Sequence, residues 1–171
     1  MDFISGTLRR RFQEKFGDSG HGFMFVARPW DWYFQNDVNH TASEGWSINR
    51  IVGPLVGDGM YGLGGVSFHA NGPASASYST VSAGDFGRKV SRFDVYYLEQ
   101  PRGGDLALRR RATSREDLDG GREQDVEGPL VHRAGRRSLV HAPRAQGNGD
   151  VRVFGVILER DTPASRTTRS A

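Results

Sequence analysis

The chain has 171 residues, enough for one domain with a core of its own, at 36% hydrophobic content with 23 glycines and a formal net charge of +3. It contains no cysteine, which excludes a disulfide framework and a thiolate metal site. No apolar run reaches the length of a membrane-crossing helix, and no apolar signal-peptide region follows Met1.

Residues 2–16 have the pattern of an amphipathic helix. Ile4, Leu8, Phe12 and Phe16 recur every fourth position, which makes one stripe on a helix surface. Ser5 or Thr7 is a candidate cap, and Gly17 sits where a terminal glycine closes a helix. Arg9, Arg10 and Lys15 lie largely off the stripe, so the expectation is a surface helix packed through its apolar side.

Beyond Gly17 the pattern changes to strands and turns. Phe23 to Ala27 is a short apolar run between Gly and Pro and predicts a buried strand. Trp30, Trp32 and Tyr33 follow as an aromatic knot. Further strands are expected from Trp46, over the glycine-rich stretch Tyr61 to Phe68, over Ser75 to Thr80, over Ser91 to Leu98, and over Val151 to Leu158. Turn residues separate them, at Pro54 to Gly59 and at Gln100 to Gly104. The predicted fold class is mainly β: an antiparallel β-sandwich, jelly-roll or carbohydrate-binding-module-like, preceded by one amphipathic α-helix.

Residues 109–145 break this pattern. They hold nine arginines and no aromatic residue, and no period of two or 3.6 is sustained. They are expected to be irregular, as is the tail, 162–171. Acidic residues interspersed with the arginines, from Glu116 to Glu127, cancel much of the positive field, so no nucleic-acid partner is expected.

Gly17-Asp18-Ser19 has the form of an esterase nucleophile motif. A serine hydrolase needs its Ser on a turn with a His base, a carboxylate to orient that base, and oxyanion donors. Here Ser19 follows a helix rather than opening one, and no Asp-x-x-His pair lies near the C-terminus. Ser19 is therefore read as a decoy, a turn residue beside an Asx-type Asp, and no catalytic residue is assigned. His21, His40, His69, His132 and His141 are scattered, with no metal-ligand spacing, so neither a metal nor another cofactor is predicted. Trp30, Trp32 and Tyr33 are the candidate carbohydrate-stacking residues.

The order of several phrases resembles SGNH (GDSL-type) hydrolases, in particular the peptidoglycan O-acetylesterase-like branch. Phe16 to Phe23 (FGDSGHGF) is similar to a phrase that in this family follows the nucleophile block and carries Ala or Gly at the place of Ser19. Asp58 to Val66, Phe93 to Leu98 and Val153 to Val156 are similar to phrases of a β-sandwich that the family inserts into its catalytic domain. The resemblance covers residues 2–108 and 145–163. It implies that residues 1–22 belong to an α/β catalytic domain and residues 23–161 to the inserted sandwich, with a loose tail at 162–171. It also implies an exported protein that hydrolyses acyl esters and has a carbohydrate or cell-wall glycan as its partner.

The nucleophile block and the Asp-x-x-His block of that family are absent from this chain. The expectation is a fragment, inactive alone and poorly soluble, with a non-catalytic carbohydrate-binding module as the alternative. Residues 164–171 (ASRTTRSA) permit a codon choice that, shifted by two bases, reads VAYDSLG, a phrase of the family. A change of reading frame near Pro163 is expected on that basis, with a compensated pair of shifts across 109–145.

Overall fold

A computed structural model of the chain describes residues 2–33, 35, 37–55, 57–81, 86–88, 90–111, 124–125 and 140–160. Among the described residues one helix, α1 (Asp2–Phe16), precedes ten strands. These are β1 (Gly20–Met24), β2 (Val38–Ala42), β3 (Ser47–Arg50), β4 (Val66–Ala70), β5 (Ala74–Thr80), β6 (Arg92–Leu98), β7 (Leu106–Arg111), β8 (Gln124–Asp125), β9 (Val140–Ala145) and β10 (Val151–Glu159).

The strands form two antiparallel sheets over one core, mainly β as the sequence predicts, with no closed barrel. In the first sheet β10 is central. β6 pairs along one of its sides, β4 and β1 share the other end to end, and β3 lies outside β4. The second sheet runs β2-β5-β9-β7-β8.

The sequence of β10 explains its central place. Val151 and Val153 point into the core, the register shifts between Val153 and Gly155, and Val156 and Leu158 then point inward. A bulge changes which side of a strand faces inward, so the alternation restarts one residue out of phase. The run VRVFGVIL therefore keeps an apolar face over its whole length. Val66, Phe68, Ala76, Tyr78, Phe93 and Val95 close the core from the facing strands.

Residues 24–27 are buried and Phe23 is half-buried, close to expectation, but the strand boundary differs. The strand ends at Met24, and Phe25, Val26 and Ala27 are buried without being in a strand. A buried carbonyl needs a donor. Here side chains supply it: the Tyr78 hydroxyl donates to Phe25 O at 2.8 Å, His40 Nε2 to Val26 O at 2.8 Å, and Arg50 Nε to Pro29 O at 2.5 Å.

Helix α1 forms where the periodicity places it. Gly17, at φ 100°, closes it with a bond from its N–H to Gln13 O at 2.9 Å. The packed face is the reverse of the one expected. Leu8, Phe12 and Phe16 are 51%, 59% and 54% exposed, and Gln13 is 3% exposed. The helix docks through polar contacts instead. Arg9 forks onto Asp37, at 2.8 and 3.2 Å, and Gln13 Nε2 donates to Gly20 O at 2.9 Å. Periodicity identifies an apolar stripe but cannot say whether anything covers it.

Other expectations need correction. Strand β2 has no apolar alternation and was not predicted. Tyr61 to Gly65 is turn and coil rather than strand, and only Val66–Ala70 pairs. The arginine-rich segment 109–145 was expected to be irregular, but β7 runs into it, β8 lies within it and β9 ends it. β9 and β7 are interior strands of the second sheet, between β5 and β8, and their pairing runs through backbone N–H and C=O groups, which an arginine-rich side-chain pattern does not reveal. Residues 112–123, 126–139 and 161–171 lie outside the described residues, and the expected loose tail at 162–171 falls there.

Two predictions follow from how α1 is docked. Phe12→Ser is expected to change unfolding free energy by no more than about 0.5 kcal/mol, whereas Gln13→Ala, which leaves buried partners unpaired, costs about 1–3 kcal/mol. Urea titration of both variants checks the order, and a larger loss for Phe12→Ser would refute the docking described here.

The second concerns Asp37. Burial alone would raise its pKa, but the His21 ring 3.4 Å away and the charge of Arg9 outweigh that and bring it to about 2 from 3.8. A depressed carboxylate stabilises the folded state above its unfolded pKa, and that contribution is lost as pH falls through the folded value. Asp37→Asn is therefore expected to cost about 2 kcal/mol near neutral pH. Its deficit against the parent chain should close as pH drops from about 4 to 2. Thermal melts across that range measure it, and a deficit independent of pH would be inconsistent with the ion pair.

Candidate functional site

The turn between α1 and β1 holds the Gly-Asp-Ser string. Asp18 is its working part. Asp18 Oδ1 accepts from Gly20 N and from Gln13 Nε2, both at 3.1 Å. Oδ2 accepts from Gly87 N at 2.9 Å and from Arg160 Nη1 at 3.3 Å. One carboxylate thus ties the helix, β1, the segment 86–88 and the end of β10. The bond to Gly20 N is the Asx turn that the residue types suggest. Gly20, at φ +101°, must be glycine, because a Cβ there would meet Leu158 O at 2.6 Å.

Ser19 is exposed, and among the described residues its hydroxyl bonds no histidine. The histidine nearest in sequence is already committed. His21 is fully enclosed, with Nε2 2.7 Å from Gly87 O and Nδ1 3.4 Å from Asp37 Oδ2.

A different Ser, His and Asp do fall in line. Ser67 and His69, two apart on β4, share its outer face. Ser67 Oγ lies 3.4 Å from His69 Nε2, and His69 Nδ1 lies 3.7 Å from Asp150 Oδ1. The order is that of a hydrolase triad, but the geometry fails at two points. Ser67 is 1% exposed and offers no approach to an ester. The Nδ1 to Asp150 distance is too long for a hydrogen bond that would orient the ring. Burial, and then the Arg152 charge, push the His69 pKa below the ordinary imidazole value against the opposing pull of Asp150 and Asp58. Arg152 itself is buried and bonds Asp58 Oδ2 at 2.6 Å. Nothing in the sequence spacing singled out this group, because Asp58 and Asp150 reach it from distant loops.

The aromatic knot is brought together around Phe25. Trp30 meets Phe25 edge-on at 6.4 Å and Tyr33 meets it at 5.0 Å, and both pack on the core. Trp32 stacks on Trp30 at 5.3 Å with ring planes 13° apart, and is 53% exposed. The three rings do not form one flat platform. The Trp pair covers its own inner faces, leaving the outer face of Trp32 open.

Beside Tyr33 the surface sinks into a cavity of about 280 Å³ lined by Arg28, Tyr33, Gln35, Val38, Asn39, His40 and Thr41. Four of these residues, Val38 to Thr41, come from β2, an edge strand of its sheet. His40 stacks on Tyr78 at 4.7 Å, which fixes its ring. Its burial, joined by the charge of Arg28, lowers its pKa below 6.5 against the opposing bond to Val26 O. The ring is therefore neutral near pH 7. Nε2 carries its proton toward Val26 O, which makes Nδ1 an acceptor. Apart from Tyr33, sequence reasoning missed this site, since β2 itself was not legible.

No protein-family model matches the chain, and no curated protein matches it. Among solved structures, one of a peptidoglycan O-acetylesterase superposes with a TM-score of 0.64 and 18% sequence identity. The match covers 95% of this chain and 40% of that one. The likeness is one of fold, and this chain spans under half the length of that neighbour.

The contrast within Gly-Asp-Ser is directly testable. Asp18→Ala strands four donors and is expected to cost about 3–5 kcal/mol, while Ser19→Ala should stay within about 0.5 kcal/mol. Denaturant unfolding of the two variants checks it, and equal effects would remove Asp18 from its role as a clamp.

Proposed function

We propose that this chain is the β-sandwich part, with one adjoining helix, of an SGNH/GDSL-type acyl-ester hydrolase that acts on acetyl esters of carbohydrate or peptidoglycan. The fold shared with a peptidoglycan O-acetylesterase over 95% of this chain is the observation that carries the reading. The ordered phrases from Phe16 to Val156 support it independently. So does α1, whose open apolar stripe suits a helix that belongs to a neighbouring domain. In the intact enzyme a Ser nucleophile, a His base and backbone oxyanion donors would carry out the hydrolysis. On this reading none of those groups lies on the described part of this chain.

A carbohydrate-binding role is compatible with that assignment. The cavity beside Tyr33 favours it.

The test is an acetyl-ester assay on the chain as it stands, with an aryl acetate and with O-acetylated peptidoglycan as substrates. No turnover above the buffer rate is expected. Turnover that Ser19→Ala or Ser67→Ala abolishes would overturn the reading and identify the nucleophile.

A further inference from the structure

The cavity at the β2 edge has a lining whose chemistry selects a ligand. Among the described residues that line it, Arg28 carries the one formal charge and none is a carboxylate. That charge is close enough to depress His40. The neutral His40 ring presents Nδ1 as an acceptor, since Nε2 is held by Val26 O. Gln35 and Asn39 add amide donors and acceptors, and Gln35 Nε2 also bonds the Tyr33 hydroxyl at 2.6 Å. The Tyr33 ring forms an apolar wall. A cation for an anion, an acceptor for a hydroxyl, amides of either kind and one aromatic face amount to the requirements of a hydroxylated carboxylate.

We propose that this cavity binds a sugar acid, with Arg28 on the carboxylate, His40 Nδ1 accepting from a ring hydroxyl, and Tyr33 against the ring. A free sugar acid and a sugar acid within a glycan offer the same chemistry. At about 280 Å³ the cavity holds one such unit rather than a chain. This deepens the carbohydrate-binding reading and rests on it, and it needs no ester hydrolysis. It also moves recognition away from the Trp30/Trp32 pair, whose stacked rings leave a single open face.

Calorimetric titration of the full chain with glucuronate, a glucuronate-containing oligosaccharide and neutral glucose tests the proposal. Glucuronate is expected to bind with a Kd of about 1 mM or tighter, and glucose about tenfold or more weakly. Arg28→Gln, at an exposed position, should remove that preference, and His40→Gln, which keeps an N–H for Val26 O but loses the Nδ1 acceptor, should weaken both sugars. Trp32→Ala should leave glucuronate binding unchanged. Oligosaccharide binding much tighter than glucuronate would assign the unit within a glycan as the ligand, and equal binding the free acid. Saccharide binding that Trp32→Ala abolishes and Arg28→Gln does not would refute the cavity but keep the carbohydrate reading. No binding of any sugar would refute both.

Discussion

The Asp18 carboxylate is the constraint on which the arrangement of α1 and the first sheet depends. A helix, a strand, a loop and the end of the central strand each send it one donor. An enclosed carboxylate with four donors is stable only when all four are in place, because a missing partner leaves a charge without its solvation. The clamp therefore couples elements far apart in sequence into one unit. The backbone around it is shaped to suit, with Gly17 and Gly20 at φ values that side chains rarely adopt. The string that most resembles catalytic machinery thus has a mechanical use, and the hydroxyl beside it is left without a role in the fold.

The same logic places the aromatic knot. After β1 the chain stays buried but leaves the sheet, so its carbonyls lose their ladder partners. Tyr78, His40 and Arg50 replace those partners with side-chain donors drawn from β5, β2 and β3. This fixes Phe25, and with it Trp30 and Tyr33, against the core. It also fixes His40, whose ring lies flat on Tyr78 with one nitrogen already used. The cavity inherits its rigidity from this exchange of strand bonds for side-chain bonds, and a preorganised wall is what lets a small site bind without ordering itself first.

What the sequence revealed was whatever rests on local periodicity. The helix at 2–16, β5, β6 and β10 were legible because their apolar residues repeat at the period of the element. β2 was not legible, because an edge strand with one buried valine has no alternation to read. β7 and β9 were hidden by arginines, which leave no apolar period of two to read. The docking side of α1 was misread because its partners, Asp37 and Gly20, are polar groups beyond its own span. The three aromatic residues Trp30, Trp32 and Tyr33 were visible as a cluster. Their stacking, and the cavity next to them, depend on Phe25, His40 and Arg28 meeting in space, which no spacing rule encodes.

The two faces of α1 state a physical asymmetry that bears on the whole chain. Polar docking of the Arg9 and Gln13 side is specific but buries little apolar surface, so it orients the helix more than it stabilises it. The opposite side keeps Leu8, Phe12 and Phe16 in water, with two of the rings stacked on each other at 5.9 Å. Burying each such side chain contributes on the order of 1.5–3 kcal/mol, and that contribution is missing from the described structure. The helix is thus held by one ion pair and by side-chain hydrogen bonds on one side, and its other side is apolar and exposed. The core of the β-sandwich closes between its own two sheets. The stripe therefore takes no part in the core of the sandwich, and α1 is joined to the strands by polar groups alone on the side that Gln13 faces.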